Sequence, residues 1–188
     1  MIKHITSVSI SDDAREQINE NFEEIYALTG ITTTAPAAGF LGAGTIVRMG
    51  AWRSGDMKHT EIILDLTDTK SVATDLDIIG VSGVSYIGQI TEAMGTILGG
   101  RITCLEVPVG GAVDIDLYAA TEATGAYDGL ITDLTETALV TSGGNWTIGL
   151  GKVFTGIPAA NQYLYLTSGV ATAGTYTAGR FIIEMWGY

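Results

Sequence analysis

The sequence predicts an all-β protein: an antiparallel β-sandwich or jelly-roll-like domain with one short N-terminal α-helix. Three observations predict it. Short β-type runs punctuated by glycine recur from Ile46 onward, with 25 glycines among 188 residues and no strict repeat. No amphipathic helical pattern intervenes between those runs, which disfavours a parallel α/β sheet. The one 3.6-residue periodicity in the chain falls before residue 30.

The helix is expected over residues 11–29. Ser11 can cap it, and Asp12 and Asp13 place negative charge where the helix dipole favours it. Ile18, Phe22, Ile25 and Leu28 continue a stripe that starts at Ala14, and Gly30 stands at the position of a glycine C-cap. Glu16, Glu20, Glu23 and Glu24 occupy the other face. A stripe of this kind must be buried, either on the chain's own β-domain or on a neighbouring subunit. Ile18, Phe22, Ile25 and Leu28 are therefore the candidate oligomer or docking interface. Residues 31–44 (ITTTAPAAGFLGAG) form a Thr/Ala/Gly-rich connection. The division is a helical attachment segment at 1–30, a linker at 31–44 and a β-domain at 45–188.

The expected strands are Ile46–Trp52, Glu61–Leu66, Asp77–Val81, Val84–Ile90, Arg101–Val107, Val113–Ala119, Ala138–Thr141, Trp146–Leu150, Gln162–Thr167 and Arg180–Trp186. Asp56–Thr60 reads as a hairpin loop. Helical turns are conceivable at Ser71–Leu76 and, better, at Leu130–Thr137. Within Val113–Tyr118 polar and apolar residues alternate, placing Asp114 and Asp116 on one face.

Composition excludes several functions. The net charge is −12 with only 9 Lys and Arg, so nucleic-acid binding and anionic membranes are both disfavoured. Charged residues make up 16 % of the chain, against about 25 % in an ordinary soluble protein. The deficit suggests a surface covered by other protein, or an outer face of Thr, Ser and Gly. Cys104, the one cysteine, sits in an apolar run and reads as a core residue. The first residues lack the apolar stretch of a signal peptide, and no run reaches the roughly 20 residues of a membrane span.

Catalytic constellations are scarce. His4 and His59 make neither a zinc motif nor a credible triad, and no nucleophile elbow occurs. Leu41-Gly-Ala-Gly-Thr45 lacks the strand before it and the helix after it that a nucleotide loop needs, and reads as a turn. Asp114 and Asp116 could bind Ca²⁺ only if loops supplied further oxygens, and no Ca²⁺-loop spacing is present. No cofactor and no metal is expected, and no pair of acids is singled out for glycosidase chemistry. Trp52, Trp146 and Trp186 read first as core residues, and second as a platform for sugar rings.

The segment Ile18-Asn-Glu-Asn-Phe-Glu-Glu-Ile-Tyr-Ala-Leu-Thr-Gly30 resembles the I-N-x-N-F-x-E-L-Y helix near the N-termini of virion proteins of tailed bacteriophages, with Ile25 in place of the usual Leu. The stretch from Tyr163 to Gly187 is similar to the closing hairpin of small phage decoration domains. This resemblance, firm over about a fifth of the chain, implies a non-enzymatic, homotrimeric β-sandwich on the surface of a virion assembled in the host cytoplasm. It implies a capsid decoration protein of cement or head-fibre type, with itself and the major capsid protein or another virion protein as partners. The alternative is a tail-fibre or baseplate adhesin that binds a host surface glycan.

Replacing Ile18, Phe22 and Ile25 by Asp should impair assembly or docking while the β-domain stays folded, since each buried side chain stabilises an interface by about 1.5–3 kcal/mol. Circular dichroism with virion co-sedimentation checks this. A collapse of the melting temperature would instead place the stripe against the chain's own β-domain.

Overall fold

A computed structural model describes residues 34–141 and 143–188. The helix expected at 11–29, and with it Ile18, Phe22, Ile25 and Leu28, lies outside the described residues. The described residues belong to one compact unit, Ile31–Tyr188.

The described chain is built from antiparallel strands. In order they are β1 (Ile46–Ser54), β2 (Met57–Asp65), β3 (Lys70–Ser71), β4 (Gly88–Gln89), β5 (Ile97–Val109), β6 (Ile115–Ala120), β7 (Glu136–Val140), β8 (Gly151–Val153), β9 (Tyr163–Ser168), β10 (Gly174–Thr175) and β11 (Ala178–Gly187). Short 3₁₀ turns occupy Glu92–Met94 and Ile131–Asp133. A five-stranded sheet runs β1-β2-β11-β5-β8, a four-stranded sheet runs β4-β9-β6-β7, and β3 pairs with β10 alone.

Alternation explains how the sheets meet. Phe181, Ile183 and Met185 of β11 are buried, as are Ile62 and Leu64 of β2 and Ile102 and Cys104 of β5. These side chains share one apolar cluster with Ile115, Leu117 and Ala119 of β6 and with Leu164 and Leu166 of β9. One face of each sheet therefore supplies the core, and dry contact between them is the main stabilising term. Trp146 fills its centre, edge-on to Phe181 at 5.3 Å, with Nε1 donating to the Ile115 carbonyl at 2.8 Å.

Several expectations shift. Trp146–Leu150 forms no strand; the indole is held by its own hydrogen bond and the ladder starts only at Gly151. Asp77–Val81 and Val84–Ile90 supply only β4 and isolated bridges, although Ile79 and Ile87 donate their amides to Leu166 and Leu164 of β9. Lys70–Ser71 is a strand, and Ser71–Leu76 contains no helix. Residues 130–137 divide into a 3₁₀ turn and the start of β7. The implied closing hairpin is absent: β9 and β11 lie in different sheets, because the connection through β10 is long enough to cross between them. His59 is not in a loop. A two-residue turn at Gly55-Asp56, with Gly55 at φ 64, closes the hairpin earlier and carries Met57–His59 into β2.

The described part of the 31–44 connection carries no strand, yet it is fastened to the domain. Phe40 is fully buried in the main cluster. The Gly39 carbonyl accepts hydrogen bonds from the amides of Val81 and Ser82. Phe40→Ala should therefore cost about 3–5 kcal/mol in urea unfolding. A loss below about 1 kcal/mol would make the segment a tether and not part of the core.

Candidate functional site

The side chains singled out from sequence are scattered. Cys104 is buried, burial pushes its thiol pKa up, and its Sγ lies 3.3 Å from the Glu106 carbonyl. The Gly42–Thr45 turn is closed by its own chain: the Gly44 amide donates to Asp68 Oδ2 at 2.8 Å, and the Gly42 amide to Thr45 Oγ1 at 2.8 Å. Amides so engaged are not presented to a phosphate.

Asp114 and Asp116 do not form a solvated face. They are only 7 % and 5 % exposed, because β6 is covered on both sides. Its inner side chains join the main core, while Tyr118 and Ala120 join Ile78, Ile131 and Tyr165 in a second cluster outside the four-stranded sheet. Asp114 Oδ1 is buried without a hydrogen-bond donor. Among the described residues no group of three or more His, Cys, Asp or Glu is arranged to hold a metal.

Charge is divided unevenly between the sheets. From Lys70 to Arg180 the only intervening cations are Arg101 and Lys152, both in the five-stranded sheet. That sheet also carries Arg48, Arg53, Lys58 and Arg180. The four-stranded sheet and the segments around it carry Asp75, Asp77, Asp114, Asp116, Glu122, Asp128, Asp133 and Glu136, with no cation. Burial, followed by the neighbouring Asp128, pushes the Asp77 carboxyl up, although Thr74 opposes it with a hydrogen bond. Carboxylates are thus crowded on one side of the molecule.

The outer face of the five-stranded sheet is the most varied surface. Strand register sets its side chains in rows. Ile46, Asp65 and Arg180 stand abreast, then Arg48, Ile63, Ile182 and Thr103, then Gly50, Glu61, Glu184 and Arg101, then Trp52, His59, Trp186 and Gly99. Arg101 pairs with Glu184. Arg180 Nη2 reaches Asp65 Oδ2 at 2.7 Å. A depression of about 380 Å³ lies over Ile46, Arg48, Ile63, Asp65, Leu105 and Arg180. Another, of about 580 Å³, lies between Glu92–Ile97 and Ile157–Ala160, and Glu92 is the only ionisable side chain in that lining apart from Tyr188.

The tryptophans separate into three roles. Trp146 is in the core. Trp52 is 45 % exposed and stacks on His59, with ring centroids 5.4 Å apart and planes 8° from parallel. Trp186 is half-buried and lies close against Gly99: Cζ2, Nε1 and Cε2 all come within 3.0–3.1 Å of where a Cβ would stand, so a side chain there would make the ring give by a few tenths of an ångström. No sequence motif marks this row, whose members come from four strands. The available signal was the outward set of β11, Arg180, Ile182, Glu184 and Trp186, alternating with the apolar inward set.

No protein-family model matches the chain, and no curated protein or solved structure proves similar to it.

The Asp65–Arg180 pair gives a pH prediction. Burial alone would raise the Asp65 carboxyl, but hydrogen bonds from Arg180 and Thr67 and the guanidinium charge outweigh it and hold the pKa below the usual value. A depressed folded-state pKa contributes stability that is present above the unfolded carboxylate value, about 3.9, and is lost as pH falls through the folded value. Arg180→Met should lower the melting temperature at pH 7, and the deficit should shrink steadily below about pH 4. A deficit that is the same at pH 7 and at pH 2.5 would refute the pair's role.

Proposed function

We propose that the chain is a non-catalytic structural subunit of a tailed-bacteriophage virion. It is a capsid decoration protein of cement or head-fibre type that binds the particle surface as a homotrimer. In this reading the domain is a β-sandwich of jelly-roll type, and an N-terminal helix bearing Ile18, Phe22, Ile25 and Leu28 makes the attachment.

The observation that carries this reading is the division of charge. A side that displays Asp75, Glu122, Asp128, Asp133 and Glu136, with no cation in the four-stranded sheet, repels the same side of another copy and any acidic surface. Contacts between copies, or with a particle, are then left to the five-stranded sheet, to the molecule's ends and to the N-terminal segment. A subunit of this polarity docks in one orientation and keeps its acidic side in water, which also discourages particles from sticking to one another. The resemblance of residues 18–30 to a virion helix supports the same reading. So does the small number of charged residues, which suits a chain with part of its surface buried in an assembly. The partners are the chain itself and the major capsid protein or another virion protein; the location is the capsid surface.

Light scattering at micromolar concentration should return three times the 19.7 kDa chain mass, and the purified protein should co-sediment with particles that lack it. A monomer that leaves such particles bare would reject the proposal.

A further inference from the structure

We propose that the open edge of β1 pairs with the same edge of a second copy, antiparallel and across a twofold axis at Gly50, joining two five-stranded sheets into one. β1 is nine residues long, contains no proline and pairs with β2 without a bulge. The Leu66 amide donates to the Gly179 carbonyl, which sets the phase of the ladder: even-numbered residues of β2 bond to β11 and odd-numbered ones to β1. Ile46, Arg48, Gly50, Trp52 and Ser54 therefore bond to β2, while Val47, Met49, Ala51 and Arg53 turn their amides and carbonyls to the open side. Among the described residues none of these outward groups has a hydrogen-bond partner. A long edge that lacks proline and bulges is a template for another strand.

Self-complementarity singles out a second copy as the occupant. In this register Val47 faces Arg53 of the other copy and Met49 faces its Ala51, and each pair exchanges both ladder bonds. On the outer face Arg48 of each copy stands opposite Trp52 of the other, with Gly50 opposite Gly50 between them. Trp52 stacks on His59 of β2, with ring centroids 5.4 Å apart, so the free face of its indole is turned toward the open edge. There the incoming guanidinium packs as a cation on a ring. Gly50 keeps the axis clear, with nothing within 4 Å of a Cβ built there. β1 carries Arg48 and Arg53 and no carboxylate, yet neither arginine faces its own kind. Moving the axis to Met49 or Ala51 separates Arg48 from Trp52 and leaves strand ends unpaired. On the other side of the strand, a depression of about 300 Å³ lined by Thr34, Ala35, Pro36, Val47 and Met49 lies where Ala51 and Arg53 of the second copy arrive.

The symmetry also respects the charge of the molecule. A twofold axis perpendicular to the sheet sets the two four-stranded sheets side by side and facing the same way, so their acidic sides do not meet. A strand edge buries little apolar surface, so the contact is weak beside a hydrophobic interface and fills at high protein concentration. It is independent of the threefold assembly and of the attachment proposed above, and it adds a second copy to whatever species those produce.

Light scattering on the full chain from about 5 µM to about 500 µM should show the mass at least doubling, while Ala51→Pro should hold it constant. The Ala51 amide faces the open side, so proline removes an edge donor without breaking the β1–β2 ladder, and an unchanged melting temperature certifies the fold. Arg48→Ala should raise the midpoint of the rise by a factor of about three or more. Gly50→Cys should form a disulfide between copies under mild oxidation about tenfold faster than Ser54→Cys. The axis brings the two residues at position 50 to about 4.5 Å between Cα atoms, within disulfide reach, and holds the two at position 54 at opposite ends of the contact. Cys104 is buried and stays out of the exchange. A constant mass for the unaltered chain, an equal rise in Ala51→Pro, an unmoved midpoint in Arg48→Ala, or equal rates for the two cysteine variants each overturns the edge contact. A doubling that starts from the monomer would reject the threefold assembly and leave the edge contact standing.

Discussion

The five-stranded sheet depends on β11. It lies between β2 and β5 and pairs with each over most of its ten residues. Phe181, Ile183 and Met185 point to the core, while Arg180, Ile182, Glu184 and Trp186 point outward. Without this strand the β1–β2 hairpin would have no partner on its inner side. It would then stand as an isolated two-stranded ribbon, which is marginal in water. The partners of β11 are also distant in sequence, so loop closure precedes any reward from pairing, and folding of this domain is expected to be slow. The outer rows inherit the same dependence, because β11 supplies the members that join β2 to β5.

Covering β6 on both sides is the second constraint. A strand with one solvated face can alternate charges freely, and Val113–Tyr118 has that alternation. Here, however, Leu76, Ile78, Ile131 and Leu134 close over Tyr118 and Tyr165. The covering segments have few ladder bonds of their own and are held by single contacts. The Leu76 amide donates to Ser168, the Ile131 amide to Leu76, and the Tyr165 hydroxyl to the Glu122 carbonyl at 2.7 Å. Burial pushes the Tyr165 pKa up to about 12, so the hydroxyl remains a donor throughout the ordinary pH range. Leu76 adopts φ 66, a left-handed conformation unfavourable for a leucine, and the two backbone bonds flanking it hold it there.

These constraints explain what the sequence made legible. β1, β2, β5, β9 and β11 were readable because each pairs over a long stretch, with an apolar set facing the common core. Trp146–Leu150 was not, because its apolar residues serve one buried indole and a turn. Asp77–Ile90 was read as two strands because its apolar content is real. Its burial comes from lying along β9 through separate bridges, a tertiary arrangement that local pattern does not encode. Asp114 and Asp116 were misplaced for the same reason: alternation reports one covered face and says nothing of a second layer. Gly99 offered a faint signal, since a glycine pair inside a strand marks close approach of something bulky. Its partner, Trp186, is known only from register.

The acidic side of the molecule has a structural origin that strengthens its consequence. The segments that cover β6 turn sharply, and aspartate suits such turns; Asp128 sits at φ 67, a conformation its short polar side chain tolerates. Asp75, Asp77, Asp128 and Asp133 all come from these segments. The five-stranded sheet needs no such turns on its outer face, where Arg48, Arg101 and Arg180 stand, two of them paired with carboxylates of the same sheet. The geometry that completes the hydrophobic layers thus also polarises the surface. Neutralising Asp128 alone would not remove the polarity, because Asp75, Glu122, Asp133 and Glu136 remain at the surface there, with no cation in the four-stranded sheet. A surface built this way directs its contacts before any particular contact forms, and it leaves the balanced, aromatic outer face as the one where close approach costs least.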